Sequence, residues 1–122
     1  MDFRIRYRVQ PDETKQETVI DQDGTVLIRN YERSGPEGHF RLSERAEGSA
    51  AAEDAEDLYR QIMDLLHRHE NILRCDNADR EIILEEPGIR ISLDAGLSDG
   101  TVTGAELVEA FIDQAVLFRK SA

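Results

Sequence analysis

Glu85-Glu86-Pro87-Gly88, then Ile89-Arg90-Ile91-Ser92-Leu93-Asp94, then Thr103-Gly104-Ala105-Glu106 follow one another in the last third of this 122-residue chain. Arg80 to Glu85 and Ile89 to Asp94 flank the Pro-Gly turn, so the stretch predicts a hairpin. A capping box then opens a helix. Thr103 can accept from the amide of Glu106, and Glu106 can reach back to the amide of Thr103. Leu107, Val108, Phe111, Ile112, Ala115 and Phe118 recur at helical spacing and predict an apolar stripe that runs to Phe118. Val116 and Leu117 fall outside that stripe. Turn, cap and stripe agree with one another, which is the mark of a well-specified segment. They imply a mixed α+β domain closed by an amphipathic helix.

Working outward, Phe3, Ile5, Tyr7 and Val9 alternate with Arg4, Arg6 and Arg8, the period of a strand with one buried and one wet face. Gln10 to Gln16 reads as a polar connection containing Pro11. Thr18 to Tyr31 predicts a hairpin turning at Asp23-Gly24. With a two-residue loop, Ile20 pairs with Leu27 and Val19 with Ile28, which puts apolar side chains on both faces and implies cover on both sides of the sheet there. Ser34 to Gly38 reads as a loop, His39 to Leu42 as a short strand, and Glu44 to Ala52 as a small, polar connector. The next segment predicts a helix ending near Asn71, with Ala55, Leu58, Ile62, Leu65, Leu66 and Leu73 on one side. Glu53, Asp54, Glu56 and Asp57 suit its first turns through the helix dipole, and Glu56–Arg60 and Asp64–Arg68 are spaced as ion pairs. Asp76 to Asp79 reads as a turn. The expected fold is therefore one α+β domain over residues 1–122. It is an antiparallel twisted sheet of about five to six strands with two helices packed on one face, in the order β-β-β-β-α-β-β-α.

The formal charge is −11, and Arg45 divides it unevenly: 8 Lys+Arg against 9 Asp+Glu up to that residue, 7 against 17 beyond it. An acidic field of this size repels phosphate backbones and anionic lipid, so neither a nucleic-acid nor a membrane partner is expected. Arginine outnumbers lysine 13 to 2. An acidic, lysine-poor surface suits a high-salt cytoplasm, where screening weakens self-repulsion. Met1-Asp2-Phe3-Arg4-Ile5-Arg6 has no apolar leader and reads directly as a strand, and the lone Cys75 cannot form an internal disulfide, so the expectation is a cytoplasmic protein.

No segment assembles recognisable chemistry. His67 and His69 are two apart, which on a helix turns them to different sides, so they cannot share an ion. His69 lies near the apolar stripe and reads as a core or helix-end histidine, with a pH-sensing role as the alternative. Asp21-Gln22-Asp23-Gly24 opens like a calcium loop, but Val26 stands where the loop needs glycine, and a hairpin turn explains it. Asp76 and Asp79 read as turn carboxylates. Cys75 has Arg74 on one side but Asp76 and Asp79 close by, which favours an inert thiol. None of the six serines sits in a Gly-x-Ser-x-Gly elbow, and no glycine run cradles phosphate. No catalytic, cofactor-binding or metal-ligating residue is assigned, and no cofactor is expected.

Two features point to partners instead. Three guanidinium groups on one strand face repel unless anions lie opposite. Arg4, Arg6 and Arg8, joined by Arg29, Arg41 and Arg90 if the sheet is continuous, read either as a wet face laced with Glu17, Glu81 and Glu85 or as a docking surface for an acidic segment. Val116 and Leu117 widen the apolar arc of the last helix and read either as an interface or as a chain end tucked into its own core. The candidate partner surface is therefore Arg4, Arg6, Arg8, Val19, Ile28, Val116 and Leu117.

The run from Ile91 to Phe118, in which a strand ends at Asp94 and Gly100-Thr101-Val102-Thr103 leads into a helix, resembles the end of the YbjN-type, type III secretion chaperone-like proteins. The order of strands, helix, hairpin and helix is also similar, although this chain opens on a strand and lacks that family's first helix. The resemblance covers about a quarter of the chain and implies a small, acidic, often dimeric α+β protein that binds other proteins; it carries over no catalytic residue. The leading expectation is a non-enzymatic protein-binding or regulatory domain that forms a homodimer. The alternative is a domain binding a small ligand or anion on the arginine face, and a small enzyme comes third.

Overall fold

A computed structural model describes residues 2–10, 14–34, 38–68, 80–96 and 102–121. Among these residues the chain forms an α+β fold of seven strands and two helices. They are β1 (Arg4–Val9), β2 (Thr14–Asp21), β3 (Thr25–Ser34), β4 (His39–Ser49), α1 (Ala52–Arg68), β5 (Arg80–Glu86), β6 (Ile89–Asp94), α2 (Gly104–Gln114) and β7 (Val116–Ser121). All seven strands join one antiparallel sheet in the order β6-β5-β1-β2-β3-β4-β7.

Both helices cover one face of the sheet. Ile5, Tyr7, Ile20, Val26, Ile28 and Ala46 lie in adjacent rows on that face, with Ile82, Leu84 and Leu93 continuing it across β5 and β6. They form one buried cluster with Ala55, Leu58, Tyr59 and Ile62 of α1 and Val108 and Phe111 of α2. The alternation in β1 thus does what its sequence requires: apolar residues point under the helices and arginines point away.

Two tyrosines fasten the helices to the sheet. The Tyr7 hydroxyl of β1 donates to Glu109 of α2 at 3.1 Å. The Tyr59 hydroxyl of α1 donates to Glu86 of β5, and its ring stacks on Phe3 with centroids 4.5 Å apart. Burial, then the Glu109 carboxylate, pushes the Tyr7 phenol up to about 12. Burial and then Glu86 push Tyr59 higher still. Both values rise above the ordinary phenol value of 10.0, so the folded chain holds these protons more tightly than the unfolded chain. That contribution is fully present below pH 10 and is lost as pH rises through 12. The urea midpoint is therefore expected to fall between about pH 10 and pH 12, and to fall less in Tyr7→Phe/Tyr59→Phe. An identical alkaline decline in the two proteins would remove the tyrosines from this role.

Several expectations need correction. The β2–β3 loop is Gln22-Asp23-Gly24 rather than two residues, so Val19 pairs with Leu27, Ile20 with Val26, and Thr18 with Ile28. Gly24 has φ +90°, and its amide closes the turn on the Asp21 carbonyl at 3.0 Å, the geometry of a three-residue hairpin loop. The calcium-like carboxylates do turn work: Asp23 accepts from the Thr25 amide at 2.9 Å.

The presumed connector from Glu44 is strand, and β4 runs unbroken to Ser49. Its small residues are there because neighbours come close. Ala46 is 1% exposed beneath the helices. A Cβ on Gly48 would lie 1.8 Å from the Val116 carbonyl oxygen. Ser43 is the extra residue of a bulge opposite Asn30 and Tyr31, and its hydroxyl donates to the Asn30 carbonyl at 3.1 Å.

The last helix stops four residues before Phe118. Val116, Leu117 and Phe118 are residues with high strand propensity, and here they complete the β4 edge. Thr103 does cap α2, accepting from the Glu106 amide at 3.1 Å, but its hydroxyl pairs with the Glu106 carboxylate at 3.2 Å in place of the reciprocal amide bond. Glu56 and Arg60 pair at 2.5 Å as their spacing predicts. His67 is exposed, whereas His69, Asn71, Leu73, Cys75, Asp76 and Asp79 lie outside the described residues.

Candidate functional site

The face opposite the helices is built by the alternate residues of the same strands. Antiparallel pairing fixes its rows. One row reads Arg90, Glu85, Arg4, Asp21; the next Ser92, Ile83, Arg6, Val19, Leu27, Glu47, Phe118; the third Asp94, Glu81, Arg8, Glu17, Arg29, Arg45, Lys120. Arg29 and Arg90 thus join the three arginines of β1. Arg41, past the bulge, alternates to the other face.

The arginines of β1 are not free. Arg4 pairs with Asp21 at 2.8 Å, and that hydrogen bond holds its guanidinium more firmly protonated. Arg6 bridges Glu85 and Glu17, the latter at 3.4 Å. Arg8 pairs with Glu81 at 2.7 Å. The laced-face reading therefore describes these three residues, and Glu17, Glu81 and Glu85 are the carboxylates it named. Arg45 is held by Glu47. Among the described residues, no carboxylate pairs with Arg29.

The three rows together carry seven cations, six of them arginines, against six carboxylates, and Lys15 and Arg33 alternate onto the same face farther along β2 and β3, on a chain of net charge −11. The excess acid lies elsewhere. The two helices alone contain eight acidic residues and two arginines. The helix-free face thus carries an excess of cations, while the helix layer is strongly negative.

A trough of about 660 Å³ crosses this face. Val19 and Leu27, both half-buried, line it with Arg4, Arg6 and Arg29, and Phe118 of β7 stands at one side with Glu47. Phe118 is 68% exposed and Val116, two residues away on the same side of β7, is 64% exposed. Large apolar side chains that share an edge with half-buried apolar neighbours form a patch rather than isolated surface residues.

The trough gathers Arg4, Arg6 and Val19 from the candidate surface, with Val116 at its margin. Arg8 lies in the third row, outside it. Ile28 does not belong to this surface: the one-residue shift of the hairpin register turns it under the helices, where it is 5% exposed. Leu117 does not belong either, because alternation along β7 points it to the helix side, where it packs half-buried against the core. Phe118, Leu27 and Arg29 complete the site. The first was assigned to the helix stripe in sequence; three consecutive strand-favouring residues after Ala115 are the signal that finds it.

Among the described residues, no group of three or more His, Cys, Asp and Glu side chains is arranged to hold a metal ion, and no helix is long and apolar enough to cross a membrane. No family model, curated protein or solved structure matches the chain.

Proposed function

We propose that this chain is a non-enzymatic protein-binding domain whose docking surface is the trough and the adjoining edge strand β7. One observation carries the proposal: Phe118 and Val116 are exposed side by side on an edge strand, continuous with half-buried Val19 and Leu27. An edge strand supplies unpaired backbone groups for a partner, and a neighbouring apolar patch supplies area to bury. The cation excess of the face offsets the repulsion that the acidic helix layer would impose on acidic partners. Chaperone-like binding of other proteins, the class implied by the resemblance at Ile91 to Phe118, falls within this proposal.

Capture from a native extract tests it. The full chain is expected to retain one or more proteins, and Phe118→Asp is expected to lose them while melting within a few degrees of the parent, because Phe118 is mostly exposed. Equal recovery with both chains would remove β7 as the docking surface.

A second reading has one observation in its favour. Arg29 is half-buried at the trough without a carboxylate partner among the described residues, and the trough has the size of a small-ligand site. A small carboxylate or phosphate with an apolar body would suit it. A melting temperature raised by such compounds in the parent but not in Arg29→Gln would favour this reading over protein docking.

A further inference from the structure

We propose that the occupant of the β7 edge is a second copy of this chain, paired antiparallel with it about a two-fold axis at Phe118. This rests on the docking surface described above and names what fills it.

β7 bonds to β4 on one side and, among the described residues, is the last strand of the sheet on the other. Its sequence, Val116-Leu117-Phe118-Arg119-Lys120-Ser121, carries two cations and no carboxylate. It is therefore the edge where a chain of charge −11 meets least opposition from another chain of the same charge. The nearest carboxylate in the same row, Glu47, is already held by Arg45.

Symmetry then limits the register. Directly opposed residues in an antiparallel pair point to the same face, and a two-fold axis normal to the sheet preserves faces. A residue must therefore stand opposite its own equivalent; an axis between residues would set opposite faces against each other. The axes giving the longest overlap of this strand fall at Phe118 and at Arg119. An axis at Arg119 sets that cation against itself, which is unfavourable for like charges directly opposed. An axis at Phe118 instead opposes the two exposed phenylalanines, sets Leu117 against Arg119, and sets Val116 against Lys120. Every like-charge pair is avoided, and the most exposed aromatic ring of the patch gains an aromatic partner. The two sheets become one, continuous through the helix-free face and its two troughs.

Site-specific oxidation tests the register, and sedimentation tests the association. In a Cys75→Ser background, Phe118→Cys is expected to form a disulfide-linked dimer under copper–phenanthroline, because opposed residues of an antiparallel pair lie within disulfide reach. Val116→Cys in the same background is expected to cross-link far less. Sedimentation equilibrium of the parent is expected to give twice the 13.9 kDa chain mass, with Phe118→Glu weakening association roughly tenfold or more. Circular dichroism of each variant checks that it has folded. A chain that stays monomeric at all concentrations, or that cross-links better at Val116 than at Phe118, overturns the proposal. If a monomeric chain still captures a different protein through Phe118, the docking surface stands and only the self-pairing falls. If Phe118 affects neither measurement, both fall.

Discussion

Arg8→Met is expected to lower the unfolding free energy by about 3 kcal/mol at neutral pH, the lower end of the range for orphaning a buried charge. Glu81, its partner, is 3% exposed, because β5 is buried on both faces. The row around them reads Asp94, Glu81, Arg8, Glu17, so the guanidinium stands between carboxylates on either side. Removing it leaves Glu81 desolvated, unpaired and directly opposite Asp94, each of which is unfavourable. The lower end applies because Arg8 itself is 35% exposed and the pair is not fully removed from water. Arg4→Met is the control. Its bridge to Asp21 is open to solvent at both ends, so its loss is expected to change stability by about 1 kcal/mol or less. Adding Glu81→Leu to Arg8→Met is expected to recover most of the loss, since replacing a whole buried pair by apolar groups is often neutral. Equal urea midpoints for Arg4→Met and Arg8→Met would show that the burial of Glu81 has no energetic consequence.

This contrast explains why the arginine stripe could be read in two ways from sequence. Alternation places Arg4, Arg6 and Arg8 on one face with certainty, because the period of a strand allows nothing else. It does not say which strands flank β1. β2 follows it in the chain, but β5 arrives from about seventy residues away, and with it Glu81 and Glu85. Ion pairing at β1 is thus a property of sheet order, which local pattern does not carry. The capping Thr103, the β5–β6 hairpin and the amphipathic α1 depend only on near neighbours, and all were legible.

The candidate site was legible in part for the same reason. Val19 reached the right face and Ile28 did not, because a loop of three residues instead of two shifts the partner strand by one, and one residue changes the face. Asp23-Gly24 fits either loop length, so the dipeptide alone cannot choose. β7 is hidden in the sequence because Ala115 to Phe118 continues the α2 pattern closely enough to extend the helix. Tertiary context decides otherwise: the long edge of β4 accepts a strand there, and strand propensity prevails over a helical stripe. The small side chains of Glu44 to Ala52 have the pattern of a linker. Their smallness instead lets β7 and the helices close on β4.

Gly48 concentrates that requirement in one position, and Gly48→Val is the second large effect expected. A Cβ there would lie 1.8 Å from the Val116 carbonyl oxygen and 2.9 Å from Leu117 Cα. Both obstacles are backbone, so no rotamer change relieves them; the β4–β7 pairing must open at its first rung. The loss is expected to reach about 3 kcal/mol, at the upper end for overpacking, because Leu117 leaves the core as the strand moves. Ser49→Val, at the next position and exposed, is expected to change stability by less than about 0.5 kcal/mol. Amide exchange separates this mechanism from general unfolding. Val116 to Ser121 should lose protection first in Gly48→Val, while β1, β2 and β3 keep theirs. Protection lost evenly across the sheet would instead mean that β7 is not an independent flap over β4. The same substitution carries a functional consequence. It alters neither Phe118 nor Val116, yet it removes the strand that displays them, so self-association and partner capture should fall together with β7 protection. A Gly48→Val chain that keeps full association with β7 unprotected would show that docking needs only the side chains, not the edge.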